Sequence, residues 1–239
     1  MAVTQPIEFT GSWSFSSLMM YETCAYRFKL KRIDKSPEPP LPPDNPLERG
    51  NRIHDNFDQY VKGTTDRLSD EPKAMDQFEA LLVHNRELYT AGMATAEDAW
   101  HFNADWDMVE GWAGTWVMAK LDFGVLDEES NHAVVVDYKS GKPDYKVVEH
   151  IQQLQFYAAL TALKYEWADK ITAELWYVDA GSVRTAEWNR EEALRFIGRF
   201  DQRAQRIYND RFFRPNPSKM TCRYCPYSPR GTGACPVGV

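Results

Sequence analysis

Asp137-Tyr138-Lys139 is the tripeptide with the most chemical content in this 239-residue chain. On a β-strand, residues two apart share a face, so the acid and the lysine project together. They close the apolar run Ala133-Val134-Val135-Val136, where burying either charge without a partner is costly. Asp122 lies upstream in Lys120-Leu121-Asp122-Phe123-Gly124. A hairpin turning at residues 127–131 would bring it near Asp137. Two carboxylates that close repel and raise one another's pKa unless a cation lies between them. Oxygen ligands favour a hard ion, magnesium or manganese. Such an ion polarises a phosphoryl oxygen and acidifies a bound water, while Lys139 would orient that water or offset charge on phosphorus. An Asp-x-Lys standing alone is more often an edge-strand salt bridge. Its company decides.

The cysteines form a second constellation. There are four, Cys24, Cys222, Cys225 and Cys235. Cys222-x-x-Cys225 and Cys235, two of them followed directly by proline (Pro226 and Pro236), read as three metal ligands in an irregular loop. Cys24 as a fourth accounts for every cysteine and would staple segments 198 positions apart. Four thiolates suit zinc or an iron–sulfur cluster.

The net charge of -7 argues against indiscriminate nucleic-acid binding. It conceals an asymmetry. Residues 190–239 carry ten Lys/Arg against four Asp/Glu, a net of +6, so the remainder carries -13. Arg195, Arg199, Arg203 and Arg206 fall on one helical face. They form either a basic ridge for a DNA backbone or a solvated surface, and neighbouring Lys219, Arg223 and Arg230 favour DNA.

The elements that must position these residues follow from periodicity. Helices are predicted over 14–31, 47–62, 73–91, 145–164 and 190–210. Strands are predicted over 116–126, 133–140, 171–179 and 183–188, the last two joined at Ala180-Gly181. A proline cluster from Pro37 to Pro46 reads as an extended connector. The composition, 43% apolar and 26% charged, is that of a globular protein. No apolar run suits a membrane span, and the first ten residues lack the features of a secretory signal, so a cytoplasmic location is expected.

Taken in order, several of these pieces resemble the RecB-like branch of the PD-(D/E)XK nuclease superfamily. They are the Gly50-x-x-x-His54 helix, Asp122 ahead of Gly124, the Val135-Val136-Asp137-Tyr138-Lys139-Ser140-Gly141 strand and the Gln153-Leu154-x-x-Tyr157 helix. The first motif aspartate usually follows Gly-x, whereas here Lys120-Leu121 precedes it. The resemblance implies a divalent metal held by His54, Asp122, Asp137 and the backbone carbonyl of Tyr138. It assigns Lys139 as the catalytic lysine and places Gln153 and Tyr157 beside the site, on the DNA strand. A further acid, Glu97 or Glu110, is also implied. The cysteine pattern is similar to CRISPR-adaptation and AddB-type nucleases, which implies a [4Fe-4S] cluster, with zinc as the alternative.

The expectation is therefore a single α/β nuclease domain, restriction-endonuclease-like, with a mixed central sheet flanked by helices. Residues 47–189 would form the core, and 10–35 with 190–239 a cysteine metal lobe. The expected activity is metal-dependent DNA hydrolysis, most simply as an exonuclease in recombination or repair. No Gly-x-x-x-x-Gly-Lys-Ser/Thr motif is present, so unwinding would need a helicase or recombination partner. The rival reading is a non-catalytic DNA-binding or assembly subunit with a structural four-cysteine metal site.

Overall fold

A computed structural model describes residues 6–239. The chain folds as two compact units, Pro42–Ile197 and Met1–Leu41 with Gly198–Val239. In the smaller unit, Ser14 and Ser17 cap one another reciprocally and start α1 (Phe15–Thr23). The single helix predicted over 14–31 is interrupted at Cys24, whose backbone is extended (φ -160°, ψ 104°). The Asn216 side chain donates to the Thr23 carbonyl at 3.2 Å, and its backbone N–H lies 3.5 Å from Cys24 Sγ. A tertiary partner thus takes a carbonyl that a continuous helix would use. The chain resumes as α2 (Ala25–Phe28) and widens into a π turn over Lys29–Ile33.

The larger unit opens with α3 (Pro46–Val61), capped by Asn45, with Pro46 at the first position where its missing N–H costs nothing. Next comes α4 (Glu79–Thr90). It begins later than the predicted residue 73. The Lys73 N–H donates instead to Asp179 Oδ1 at 3.0 Å, and the Ala74 N–H to the Val178 carbonyl at 3.1 Å. The sheet follows as β1 (Ala94–Phe102), β2 (Val117–Asp127) and β3 (His132–Lys139). Then come α5 (Val147–Lys164), β4 (Lys170–Tyr177), β5 (Ser182–Asn189) and α6 (Arg190–Asn209).

The five strands lie in sequence order, with β3 and β4 parallel and every other pair antiparallel. The fold is α/β with a mixed sheet flanked by helices, as expected. A parallel pair needs a crossover, and α5 provides it. One strand, β1, was not predicted. It is an edge strand, and Glu97 and Asp98 break its alternation.

Ile53 and Phe57 of α3 and Leu82 of α4 pack with Phe123, Val136, Tyr138 and Trp176 of the sheet. Ala158 and Ala162 of α5 join Ala133 and Ile171 in a second cluster. The strand period of two therefore directs Val136 and Tyr138 toward α3 and leaves Asp137 for α5.

In the smaller unit, the end of α6 packs on the N-terminal segment. Phe15 meets Phe200 edge-on at 6.3 Å, and the Tyr21 hydroxyl donates to Asp210 at 3.0 Å. Ser218 caps the short α7 (Lys219–Cys222). The loop beyond closes tightly at Gly231, where a Cβ would lie 2.0 Å from the Pro226 carbonyl oxygen. Only glycine fits there. Among the described residues, no helix is long and apolar enough to cross a membrane.

Candidate metal and catalytic site

The β2–β3 ladder runs from Asp127/His132 up to Phe123/Val136 and ends there. Asp122 and Asp137 are the next residues on the two strands. At this fork the Tyr138 N–H donates to Asp122 Oδ2 at 2.7 Å, replacing a ladder rung with a carboxylate. The other oxygen, Oδ1, lies 3.0 Å from His54 Nδ1 of α3. His54 reaches the sheet because Ile53 and Phe57 bury the flanking face of its helix. Gly50, one turn earlier, lets Ser140 approach closely, since a Cβ there would stand 3.3 Å from its Oγ.

Glu97 completes this group. Its ligand atom lies within 4.8 Å of those of His54 and Asp122. Glu97 adopts φ +52° within β1, a left-handed conformation that costs a non-glycine residue about 1–2 kcal/mol. Strain of this kind concentrates at functional sites. Lys120 ion-pairs with Glu97 from the neighbouring strand. Glu110, the other acid considered, is exposed on the loop after β1.

Asp137 is 5% exposed. Its Oδ1 accepts from Gln153 Nε2 at 2.9 Å and from the Tyr157 hydroxyl at 3.2 Å. Gln153 also donates to the Tyr157 oxygen at 3.0 Å. The polar groups of both α5 residues are thus directed at Asp137. Asp137 Oδ2 is buried without a directed hydrogen bond, and the Lys139 ammonium is its ion-pair partner.

Burial raises the Asp137 carboxyl above its ordinary range, and the Asp122 charge adds to this against the opposing pull of Lys139. Burial also raises Tyr157, so it remains a hydroxyl donor. For His54, burial is the largest influence and lowers the pKa, but the hydrogen bond and charge of Asp122 outweigh it with help from Asp137. The net shift is upward.

This donor set fits a divalent ion. Two carboxylates and an imidazole converge. Asp137 stands outside that group and outside the cleft lining, buried behind it with one oxygen lacking a directed hydrogen bond and interacting with Asp122 and His54 through charge. His54, Glu97, Asp122, Tyr138 and Lys139 all line one open cleft. Oxygen-rich sites of this kind suit magnesium or manganese. An isolated Asp137–Lys139 pair would be structural. The adjoining triad is what makes it a candidate site.

The smaller unit holds the cysteines. Cys24, Cys222, Cys225 and Cys235 all line one cavity, yet among the described residues no three of their sulfurs come within 4.8 Å of one another. They are not drawn together as the ligands of a single ion.

The predicted arginine ridge on α6 is partly engaged already. Arg203 is held by both oxygens of Glu22 at 2.8 and 2.7 Å, with its side chain only 12% exposed. Arg195 pairs with Glu191 one turn back.

The larger unit has a mixed sheet flanked by helices, with an acid–lysine pair at the strand fork. Residues 12–230 match the sequence pattern of the PD-(D/E)XK nuclease superfamily, and the chain belongs to that superfamily. No curated protein matches the chain. Among solved structures, the chain is similar to one described as SSO0001, at 14% identity and TM-score 0.40, covering 98% of this chain and 90% of that one. It is also similar to a Eubacterium rectale protein named "Putative exonuclease", at 12% identity and TM-score 0.48, covering 86% and 84%.

Proposed function

We propose that the chain is a divalent-metal-dependent deoxyribonuclease of the RecB-like branch, acting as an exonuclease in recombination, repair or DNA processing. The observation that carries this reading is the convergence of His54, Glu97 and Asp122 within 4.8 Å, beside the Asp137–Lys139 pair. His54, Glu97, Asp122 and Asp137 would hold the ion, with the Tyr138 carbonyl as a further ligand. A bound magnesium or manganese ion supplies Lewis acidity at a phosphoryl oxygen and a water of lowered pKa. Lys139 positions the attacking water and offsets charge gathering on the phosphoryl oxygens. Gln153 and Tyr157 act through Asp137, fixing its carboxylate plane by two hydrogen bonds. The test is degradation of end-labelled DNA with manganese or magnesium, against the same mixture with chelator. Loss of label only with metal supports the reading; no metal-dependent cleavage across blunt, overhanging and single-stranded ends contradicts it.

The same reading gives the smaller unit a [4Fe-4S] cluster on Cys24, Cys222, Cys225 and Cys235. All four line one cavity. Visible absorbance of anaerobically purified protein, lost in Cys222→Ser, supports the cluster; stoichiometric zinc without colour contradicts it.

A further inference from the structure

We infer that α7 and the turn after it form a single-stranded DNA-binding groove, separate from the arginine face of α6. The inference extends the nuclease reading by naming a surface for its substrate. The groove is lined by Lys219, Met220, Arg223, Arg230 and Val239, which contribute three cationic side chains and no acidic one. None of the three cations has an ion-pair partner among the described residues, unlike Arg195 and Arg203. A cluster of unpaired cations repels itself, and a polyanion is the complement that relieves it.

The local sequence explains the presentation. Lys219 and Arg223 are four apart, one turn, and therefore share a side. Cys222 is buried and Cys225 half-buried, so the residues between and before them point outward. Met220 is 87% and Tyr224 76% exposed, far more than such side chains usually are. The Arg223 guanidinium lies 5.2 Å from the Tyr224 ring centre. Cations interleaved with an exposed aromatic and a thioether match the chemistry of a single strand, whose phosphates need charge and whose unpaired bases need a face to stack on. An acidic protein segment would use the charges but not the aromatic.

The experiment measures binding of fluorescein-labelled oligothymidylate by anisotropy in EDTA, where no cleavage can occur, over a salt series. Arg223→Gln/Arg230→Gln should weaken binding at least about tenfold at low salt and flatten the log–log salt slope by about 1.4, two phosphate contacts at about 0.7 each. Tyr224→Ala should weaken binding several-fold and leave that slope unchanged. A charge-reversed pair, Arg223→Glu/Arg230→Glu, should bind still more weakly, with circular dichroism confirming the fold. Wild-type affinity and slope in the folded glutamine variant would overturn the groove, as would polyglutamate binding equally tightly with oligothymidylate failing to bind. Manganese-dependent hydrolysis of thymidine 5′-monophosphate p-nitrophenyl ester, too short to span the groove, separates the two readings. It should be unchanged in the groove variants. If the wild type lacks this hydrolysis and all DNA cleavage while the groove variants still lose binding, the nuclease reading fails and the groove stands.

Discussion

The backbone N–H of Tyr138 donates to the Asp122 carboxylate at 2.7 Å, just beyond the last β2–β3 backbone pair, Phe123 with Val136. That bond both ends the ladder and holds Asp122 against His54. A side chain that terminates a sheet and also faces a cleft is constrained twice. Replacing it should be felt in structure and chemistry separately.

Asp122→Asn should show this separation. The amide oxygen still accepts from Tyr138, so melting should change by no more than about 1 kcal/mol. Metal affinity should fall at least about tenfold, because one anionic ligand is gone. Manganese titration by calorimetry checks it, and unchanged affinity would remove Asp122 from the ligand set.

Tyr157→Phe removes one of the two hydrogen bonds to Asp137 Oδ1 while retaining the ring. Cleavage should fall about 10- to 100-fold, with the affinity for DNA unchanged. If DNA affinity drops and turnover per bound complex does not, Tyr157 contacts substrate instead.

Glu97 offers a test of strain against function. Its φ of +52° suits glycine. Glu97→Gly should melt no lower than the wild type, whereas the β-branched Glu97→Val should be destabilised by about 1–2 kcal/mol. Both should lose cleavage. Thermal melts beside a nuclease assay would decide, and full activity in Glu97→Gly would exclude it as a ligand.

The acid limb of stability should contain a contribution from Asp179. Both its oxygens accept from Arg49 at 2.8 Å, and one also accepts from the Lys73 N–H. Burial is the largest influence and raises its pKa, but Arg49 and Lys73 together hold it below the ordinary 3.8. The fold thus prefers the ionised form. Its contribution is complete above about pH 4 and is lost as pH falls through the depressed folded value. Asp179→Asn should cost about 1.5–3 kcal/mol near neutrality, and the gap to wild type should narrow as pH falls below the ordinary carboxylate range. A gap constant from pH 7 to 2.5 would contradict this.

Much of the larger unit was legible in the sequence for simple reasons. The Ala133–Val136 run and the polar turn before it specify a buried hairpin strand, and strand alternation then puts Asp137 opposite the α5 residues Gln153 and Tyr157. β1 was not legible, because an edge strand interrupted by Glu97-Asp98 has little hydrophobic signal. Choosing Glu97 over Glu110 needed the sheet register and a left-handed backbone at residue 97, neither of which a residue type encodes. The break at Cys24 was hidden for a related reason: its cause is Asn216, 192 positions away. The engagement of Arg203 by Glu22 was equally nonlocal.

The most direct test compares wild type, Asp137→Asn and Lys139→Met on end-labelled DNA in manganese, with melting curves recorded beside each assay. The wild type should release label only when metal is present. Both variants should lose at least about 100-fold in rate while remaining folded. Undiminished cleavage in either folded variant would contradict a reaction centred on the strand fork.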